Sequence, residues 1–189
     1  MPVHNSQKSQ DKRLVVGVTG RIGAGKTSVA KYLGDRHAFS YVRYSQVLSE
    51  WKAKSDDTKK HLQTVGWEVM GGGMQAVLNA RLITQIPTQS ECAVDGLRHP
   101  TDFDSLSKAF PSRFCLLFID CPQEIRWKRL RKRYPRLEDF QQADFHPVER
   151  QIEGLRGNAF GLISNDGSLQ DLYSQVDQML EKMRQGGQR

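Results

Sequence analysis

A short segment near the start of the chain has the residue types and the spacing that bind the phosphates of a nucleotide. Gly20-Arg21-Ile22-Gly23-Ala24-Gly25-Lys26-Thr27 matches the P-loop pattern G-x-x-x-x-G-K-[ST] at every fixed position. Glycines let such a loop fold tightly, so that its backbone N–H groups point inward at phosphate oxygens. Lys26 would reach the β- and γ-phosphates, and the Thr27 hydroxyl would bind Mg²⁺. The sequence therefore predicts ATP and Mg²⁺ as cofactors, with the nucleotide held by Gly20, Gly23, Ala24, Gly25, Lys26, Thr27 and Ser28.

A carboxylate and an arginine follow a later apolar run. Cys92-Ala93-Val94 leads into Asp95, and Arg98 stands three residues further on. An Asp at a strand end beside a P-loop holds magnesium, usually through water. An arginine at this edge of a sheet can form two parallel hydrogen bonds to a phosphate. The spacing predicts Asp95 as a metal-binding residue and Arg98 as a phosphate-binding residue. The alternatives are a turn-forming Asp95 and a surface ion pair of Arg98.

The net charge of +7 comes from one stretch of the chain. Seven basic residues lie within it, and without them the chain would carry 21 residues of each sign: Arg126, Lys128, Arg129, Arg131, Lys132, Arg133 and Arg136. Arg126, Arg129 and Arg133 share one helix face, where they would repel each other unless an anion lay between them. We therefore expect Arg129 and Arg133 to stabilise a transferred phosphoryl group. The alternative is a solvated basic face paired with Glu124, Glu138 and Asp139.

Apolar runs alternate with helical patterns along the rest of the chain. Strands are predicted over 14–19, 39–42, 92–95, 114–120 and 160–164, and helices over 25–36, 46–54, 58–70, 74–83, 102–109, 123–134, 147–154 and 169–183. The strands are nearly continuous apolar runs, as in a parallel sheet that is buried on both faces. This order predicts a three-layer α/β domain with a five-stranded parallel sheet. The polar segment 135–147 is expected to be an irregular connection, with a flexible lid over 136–144.

The length of 189 residues fits one domain, predicted over 13–184 between a disordered tail at 1–12 and a frayed end at 185–189. The apolar runs are too short to cross a bilayer, and the N-terminus is polar. Three cysteines are too few and too irregularly spaced for a disulfide framework. We expect a cytoplasmic protein that makes no contact with membranes.

These residues resemble the P-loop nucleoside monophosphate kinases and dephospho-coenzyme A kinases over residues 13–183, with residues 18–31 similar to the opening of both groups. Asp95-Gly96-Leu97-Arg98 resembles, one residue shorter, a region of adenylate-type kinases whose arginine binds the acceptor's phosphate. The residues from Arg126 to Arg133 resemble the helix that leads into the lid of these enzymes. Gln151 and residues 163–169 are similar to the C-terminal part of dephospho-coenzyme A kinases. The resemblance implies a P-loop kinase fold, a lid over 134–147, and a loop containing Asn165 and Gly167 beside the donor base.

One difference from the dephospho-coenzyme A kinases bears on the chemical nature of the acceptor. Dephospho-coenzyme A kinases carry an Asp after the second strand, where this chain reads Val42-Arg43-Tyr44-Ser45-Gln46. A phosphate acceptor is already ionised and needs no general base, whereas a hydroxyl usually benefits from one. The sequence therefore favours a (deoxy)nucleoside monophosphate as acceptor, although Asp95 or Asp56 could serve a hydroxyl. The alternatives are a hydroxyl kinase for dephospho-coenzyme A or a modified nucleoside, even one within DNA, and a nucleotide-binding switch or ATPase that transfers nothing. Nucleic acid is the less favoured partner.

Residues 43–86 are expected to form a helical region that binds the acceptor. Its candidate residues are Arg43, Tyr44, Trp51, Trp67, Met70, Met74 and Arg81. A planar base could stack on Trp51 or Trp67, with an arginine on its phosphate. The alternative is that both tryptophans pack this region onto the sheet. The Gly71–Gly73 run is interpreted as a hinge or as a cap of a helix.

Overall fold

Five strands form one parallel sheet in the computed structural model, which describes residues 13–51 and 59–186. The strands are β1 (Val15–Thr19), β2 (Ser40–Arg43), β3 (Cys92–Leu97), β4 (Phe114–Asp120) and β5 (Gly161–Ser164). Their order across the sheet is β2-β3-β1-β4-β5, and every neighbouring pair is parallel. The predicted five-stranded three-layer α/β architecture is confirmed. The expected tail at 1–12 lies outside the described residues.

Nine α-helices of the described residues cover the sheet or surround its carboxyl edge. They are α1 (Lys26–His37), α2 (Tyr44–Trp51), α3 (Lys59–Gly71), α4 (Gln75–Gln85), α5 (Pro100–Ala109), α6 (Gln123–Leu130), α7 (Leu137–Asp144), α8 (Pro147–Arg150) and α9 (Leu169–Gly186). A 3₁₀ helix, Gln151–Asn158, follows α8 directly. No helix of the described residues combines the length and the apolar composition that a bilayer crossing requires.

The strands are continuously apolar because both faces of the sheet are covered. On one face, Val16 and Val18 of β1 pack with Val29 and Leu33 of α1 and with Val176 of α9. On the other face, the core contains residues of β1, β3, α2, α4 and α5, among them Val15, Val94, Val47, Leu82 and Leu106. A strand between two such layers has no solvent-facing side on which polar residues would be favoured.

The segment predicted as an irregular connection contains a helix, so that expectation is wrong, whereas the lid over 134–147 stays a prediction. Residues 137–144 form α7, and Phe140 and Asp144 are buried at 0% and 1% exposure. The arginine-rich helix also ends earlier than predicted, at Leu130, and Arg133 and Tyr134 donate backbone hydrogen bonds back to the Leu130 carbonyl. Pro135 explains this shortening in part, since it restricts the residue before it and cannot continue a helix.

Several other boundaries shift by a few residues. The helix predicted at 102–109 begins at Pro100, where the His99 side chain accepts a hydrogen bond from Thr101 N and Asp102 completes a capping box. The helix predicted at 147–154 is divided into α8 and the 3₁₀ helix. The last helix runs to Gly186, so residues 185 and 186 of the expected frayed end are helical.

Candidate active site

The P-loop lies between the end of β1 and the start of α1, at the carboxyl edge of the sheet. Gly25 precedes the helix with φ 106°, a left-handed conformation that favours glycine. A Cβ on Gly25 would lie 2.2 Å from Asn165 Nδ2, so a side chain there would displace Asn165. Lys26 Nζ donates to the carbonyls of Gly20 at 2.6 Å and Arg21 at 3.0 Å. Lys26 therefore lies over the loop that is predicted to hold the phosphates of the nucleotide.

The two predicted magnesium ligands are in direct contact. Thr27 Oγ1 donates to Asp95 Oδ2 at 2.8 Å, because β1 and β3 are neighbours and Val18 pairs with Asp95. The Tyr41 hydroxyl donates to the same carboxylate oxygen at 2.7 Å. A hydroxyl and a carboxylate are oxygen ligands that suit Mg²⁺, which commonly takes few protein ligands and completes its shell with phosphates and water. The residues present therefore fit a nucleotide-bound magnesium ion.

Tyr41 was not predicted from the sequence. Burial, followed by the charge and hydrogen bond of Asp95, raises the Tyr41 pKa well above its ordinary value, so the phenol stays protonated and donates. A sequence signal existed, because Tyr41 and Arg43 are two residues apart on β2 and so share a face of the strand.

Arg98 is held from two directions. Its backbone N–H and that of His99 donate to Asp102 Oδ2, each at 2.9 Å, which fixes the chain between β3 and α5. Its Nη1 lies 2.6 Å from Oε1 of Glu149, a residue with 0% exposure. The second Glu149 oxygen accepts from the backbone N–H of Ile22 in the P-loop at 2.8 Å. Arg98 therefore makes an ion pair with a buried carboxylate rather than with a surface one.

Arg126 does not share an open stripe with Arg129 and Arg133, which corrects the expectation of three arginines around one anion. It is buried at 5% exposure and binds both oxygens of Asp144, at 2.5 and 3.0 Å. Arg21 contacts the same carboxylate at 3.0 Å. Burial alone would raise the Asp144 pKa, but the hydrogen bonds and charges of Arg126 and Arg21 outweigh burial and lower it. The partner of the buried arginine is thus Asp144, not Glu124, Glu138 or Asp139.

Arg129 links the basic helix to the loop after β5. Its Nη2 donates to the backbone and side-chain oxygens of Asn165, at 3.0 and 3.1 Å. Asn165 in turn donates through Nδ2 to the Ala24 carbonyl at 2.7 Å. Asn165 thereby supports the P-loop from behind, whereas Gly167 lies further out, exposed and close to Asp171. The role of both residues beside a donor base stays a prediction.

A cavity of about 370 Å³ joins the P-loop to the helices on one side of it. At the loop end it is lined by Gly23, Gly25, Lys26, Thr27 and Ser28, and Asp95, Arg98, Arg129 and Arg133 also border it. The lining away from the loop, which we call the apolar chamber, contains Tyr44, Leu48, Gly66, Met70, Leu78 and Val148, together with the polar residues Ser45, Gln63, Gln75 and Asp102. Arg43 also lines the cavity: its Nε is 4.0 Å from Asp95 Oδ2 and makes no hydrogen bond with the described residues. The structure therefore brings most predicted site residues around one space.

Some predicted acceptor residues lie outside this space. The Arg81 guanidinium lies over the Trp51 ring, 5.1 Å from its centre, and neither residue lines the cavity. Trp67 is 39% exposed and faces His146. Of the candidates, Arg43, Tyr44 and Met70 line the cavity, so the expected stacking of a base on Trp51 or Trp67 is not supported. Asp56, the other candidate base, lies outside the described residues.

The glycine run after α3 forms a helix cap. Gly73 has φ 68°, and the Gly73 and Met74 N–H groups donate to the carbonyls of Met70 and Val69 at 3.2 and 2.9 Å. This pair of hydrogen bonds is the Schellman motif that ends many helices. The cap interpretation of the run therefore accounts for the geometry.

Curated relatives cover nearly the whole chain. A UPF0200 protein of Thermococcus gammatolerans is 25% identical over an alignment 185 residues long, which covers 92% of this chain and 97% of the relative. A UPF0200 protein of Thermococcus kodakarensis is 24% identical over an alignment 182 residues long, which covers 90% of this chain and 98% of the relative.

Solved structures with the same architecture include kinases of small molecules. A gluconokinase from Sinorhizobium meliloti superposes with a TM-score of 0.62 at 13% identity, covering 93% of this chain and 95% of its own. A shikimate kinase from Acinetobacter baumannii, in complex with shikimate, gives a TM-score of 0.63 at 14% identity, covering 95% and 97%. At these identities the likeness shows the fold, which is that of the P-loop kinases. Residues 16–146, which contain the P-loop, Asp95, Arg98 and the basic helix, match the AAA domain family, and the chain therefore belongs to it.

Proposed function

We propose that the protein is an ATP- and Mg²⁺-dependent kinase that phosphorylates a ribo- or deoxynucleoside monophosphate. The observation that carries this proposal is the single cavity that the P-loop shares with the apolar chamber, and Arg43 and Arg98 line the same cavity. Apolar walls suit a planar base, and arginines suit a phosphate. The names of the structural neighbours, a gluconokinase and a shikimate kinase, support phosphoryl transfer to a small molecule.

The donor would be held mainly by electrostatic contacts. The P-loop backbone would bind its phosphates, and Lys26 would exchange the carbonyls of Gly20 and Arg21 for phosphate oxygens. Thr27 and Asp95 would hold Mg²⁺, which supplies positive charge to the phosphate oxygens when bound. Arg129 and Arg133 border the same space and would stabilise the charge of the transferred group.

The acceptor would be oriented by the opposite side of the cavity. Arg98 and Arg43 would direct the acceptor phosphate, one of whose oxygens forms a bond to the γ-phosphorus as the bond to the β,γ-bridging oxygen breaks and ADP leaves. This oxygen is already ionised, so no general base is required. The first residue after Val42 of β2 is accordingly an arginine, Arg43, and not a carboxylate.

A panel of acceptors tests the proposal. The protein is incubated with ATP and Mg²⁺, alone and with each ribo- and deoxynucleoside monophosphate, dephospho-coenzyme A or short DNA, and ADP release is followed. We expect release that depends on one or a few monophosphates. A response confined to dephospho-coenzyme A or DNA would establish the hydroxyl kinase instead, and slow hydrolysis that no acceptor changes would indicate a switch or ATPase.

Lys26→Ala should lower turnover by at least about a hundredfold, as the loss of a group that stabilises transition-state charge does. Circular dichroism and the melting temperature should stay close to wild type. Lys31→Ala is the matched control, because Lys31 is on the same helix and exposed. Wild-type turnover in Lys26→Ala would refute the assignment of the donor site.

A further inference from the structure

One residue of the apolar chamber is a glycine without a structural reason in the fold itself. Gly66 lies in the interior of α3, where glycine costs roughly 0.5–1 kcal/mol relative to alanine. The residue lines the cavity together with Leu48 of α2 and Val148 of α8. A helix interior would normally carry a better helix former at such a position, so something other than helix formation favours glycine here.

Two common reasons for glycine are absent at this position. Among the described residues, four glycines line the cavity: Gly23, Gly25, Gly66 and Gly96. The other three have φ values of +79°, +106° and +95°, which disfavour any side chain, whereas Gly66 has an ordinary helical backbone. Backbone conformation therefore does not require glycine at 66.

Close packing does not require it either. A Cβ on Gly66 would lie 3.7 Å from Leu48 Cδ2 and 4.0 Å from Val148 Cγ2, which are ordinary van der Waals distances. The three helices would accept a methyl group without moving. That methyl group would instead take up space in the wall of the apolar chamber, between two side chains that also line it.

We propose that Gly66 is a specificity-determining residue that leaves room for the acceptor's planar heteroaromatic base against the bare backbone of α3. This inference rests on the proposed function and adds to it which surface the base contacts. A flat ring packs closely against a surface without a Cβ, and Leu48 and Val148 adjoin that surface here. The neighbouring tryptophans are then not needed for stacking, which agrees with their positions outside the cavity.

Gly66→Ala tests the inference, because it adds one methyl group to the wall of the apolar chamber and should leave the protein at least as stable as wild type. We expect the KM for the acceptor monophosphate to rise about tenfold or more, the effect of one methyl group in a substrate pocket. The KM for ATP should stay unchanged, and the melting temperature should stay equal or rise. Where the enzyme accepts bases of two sizes, the larger base should lose more.

Gly71→Ala is the matched control, since Gly71 is on the same helix, outside the cavity, and a Cβ there would have no neighbour within 4 Å. It should leave both KM values unchanged. An unchanged acceptor KM in Gly66→Ala, or an equal change in both variants, would overturn the inference while the wild-type enzyme still phosphorylates a nucleotide. If the wild-type protein phosphorylates no nucleotide, the proposed function fails, and the assignment of a planar base to this wall fails with it.

Discussion

Glu149 has no exposed surface, although its charged form is far better solvated by water than by protein. Its carboxylate is stabilised by the Arg98 guanidinium at 2.6 Å and the Ile22 N–H at 2.8 Å. One side chain thus contacts both the predicted acceptor arginine and the P-loop. A buried charge of this kind is retained only where its partners are in place, so the orientation of Arg98 depends on Glu149.

We expect Glu149→Gln to weaken acceptor binding through Arg98. The acceptor KM should rise about tenfold, as expected for a lost charged hydrogen bond worth about 1.5–3 kcal/mol. In an Arg98→Met background, Glu149→Gln should raise the acceptor KM little further, because the contact between residues 98 and 149 is already lost. Steady-state kinetics of the two single variants and the double variant measures this coupling.

A surface pair provides the control for this cycle. Arg156 and Asp120 lie 2.7 Å apart, but their side chains are 42% and 50% exposed, and Arg156→Met should change neither KM. Additive effects of the Glu149 and Arg98 substitutions would show that Glu149 does not act through Arg98.

The sequence could predict those site residues whose chemistry is local. The P-loop is a run of contiguous residues, and Asp95 follows from the rule that carboxyl ends of parallel strands meet at one edge. Glu149 was missed because its partners Arg98 and Ile22 are 51 and 127 residues away along the chain. Asp144 was missed because it binds Arg126, 18 residues away, together with Arg21, 123 residues away. Glu149 lies in the first turn of α8, where an acidic residue by itself suggests only a favourable interaction with the helix dipole.

At the scale of elements, α7 shows how a short helix can be mistaken for a loop. It has eight residues, of which Phe140 and Asp144 are buried, four positions apart on one face. A hydrophobic pattern counts a buried aspartate as polar, so Phe140 is the one strongly apolar residue that marks the buried face of α7. The Arg126 guanidinium contacts both buried side chains of α7: it binds Asp144 and lies 5.6 Å from the centre of the Phe140 ring. These contacts are not visible in a hydrophobic pattern.

Asp144→Asn should lower the free energy of unfolding by about 3 kcal/mol near neutral pH, because it leaves the buried Arg126 without its ion pair. The folded-state pKa of Asp144 is below its ordinary value of 3.8, so the carboxylate stabilises the fold above that pH. This stabilisation is lost as the pH falls through the folded-state pKa. Chemical denaturation at several pH values measures the free energy of unfolding of both proteins. The difference in this free energy between wild type and variant should become smaller below about pH 4.

Asp139→Asn is the control on the same helix. The Asp139 side chain is 45% exposed and lies 3.7 Å from Arg136, so its loss should change the free energy of unfolding by less than about 1 kcal/mol. If the difference in the free energy of unfolding between wild type and Asp144→Asn stays the same below about pH 4, the role of the ionised carboxylate is contradicted.

At the scale of the whole molecule, the fold class was predictable and the arrangement of strands was not. Continuous apolar runs alternating with helices indicate a buried parallel sheet, since few other architectures bury both faces of a strand. The order β2-β3-β1-β4-β5 depends on pairings between distant segments, such as Val15 with both Cys92 and Phe114. No local pattern encodes which run lies beside which.

The three cysteines should report on the integrity of this sheet. Burial raises the Cys92 pKa to about 12, and burial also raises the pKa values of Cys115 and Cys121, although Arg129 and Arg126 counteract it at Cys121. Because the thiolate is the reactive form, alkylation of the native protein at mildly alkaline pH should be at least about tenfold slower than alkylation in denaturant. Mass spectrometry should find Cys92 modified last. Rapid modification of Cys92 in the native protein would contradict this burial.

The contacts of the P-loop also bear on how nucleotide affinity is linked to folding. Three of its residues are already held by distant groups: Arg21 by Asp144, Ile22 by Glu149 and Arg126, and Ala24 by Asn165. Fixing a backbone residue costs roughly 1–2 kcal/mol of conformational entropy, and here most of that ordering occurs when the chain folds rather than when the ligand arrives. Substitutions in α7, α8 or the loop after β5 that loosen these contacts will therefore weaken nucleotide binding without removing any group that touches the nucleotide.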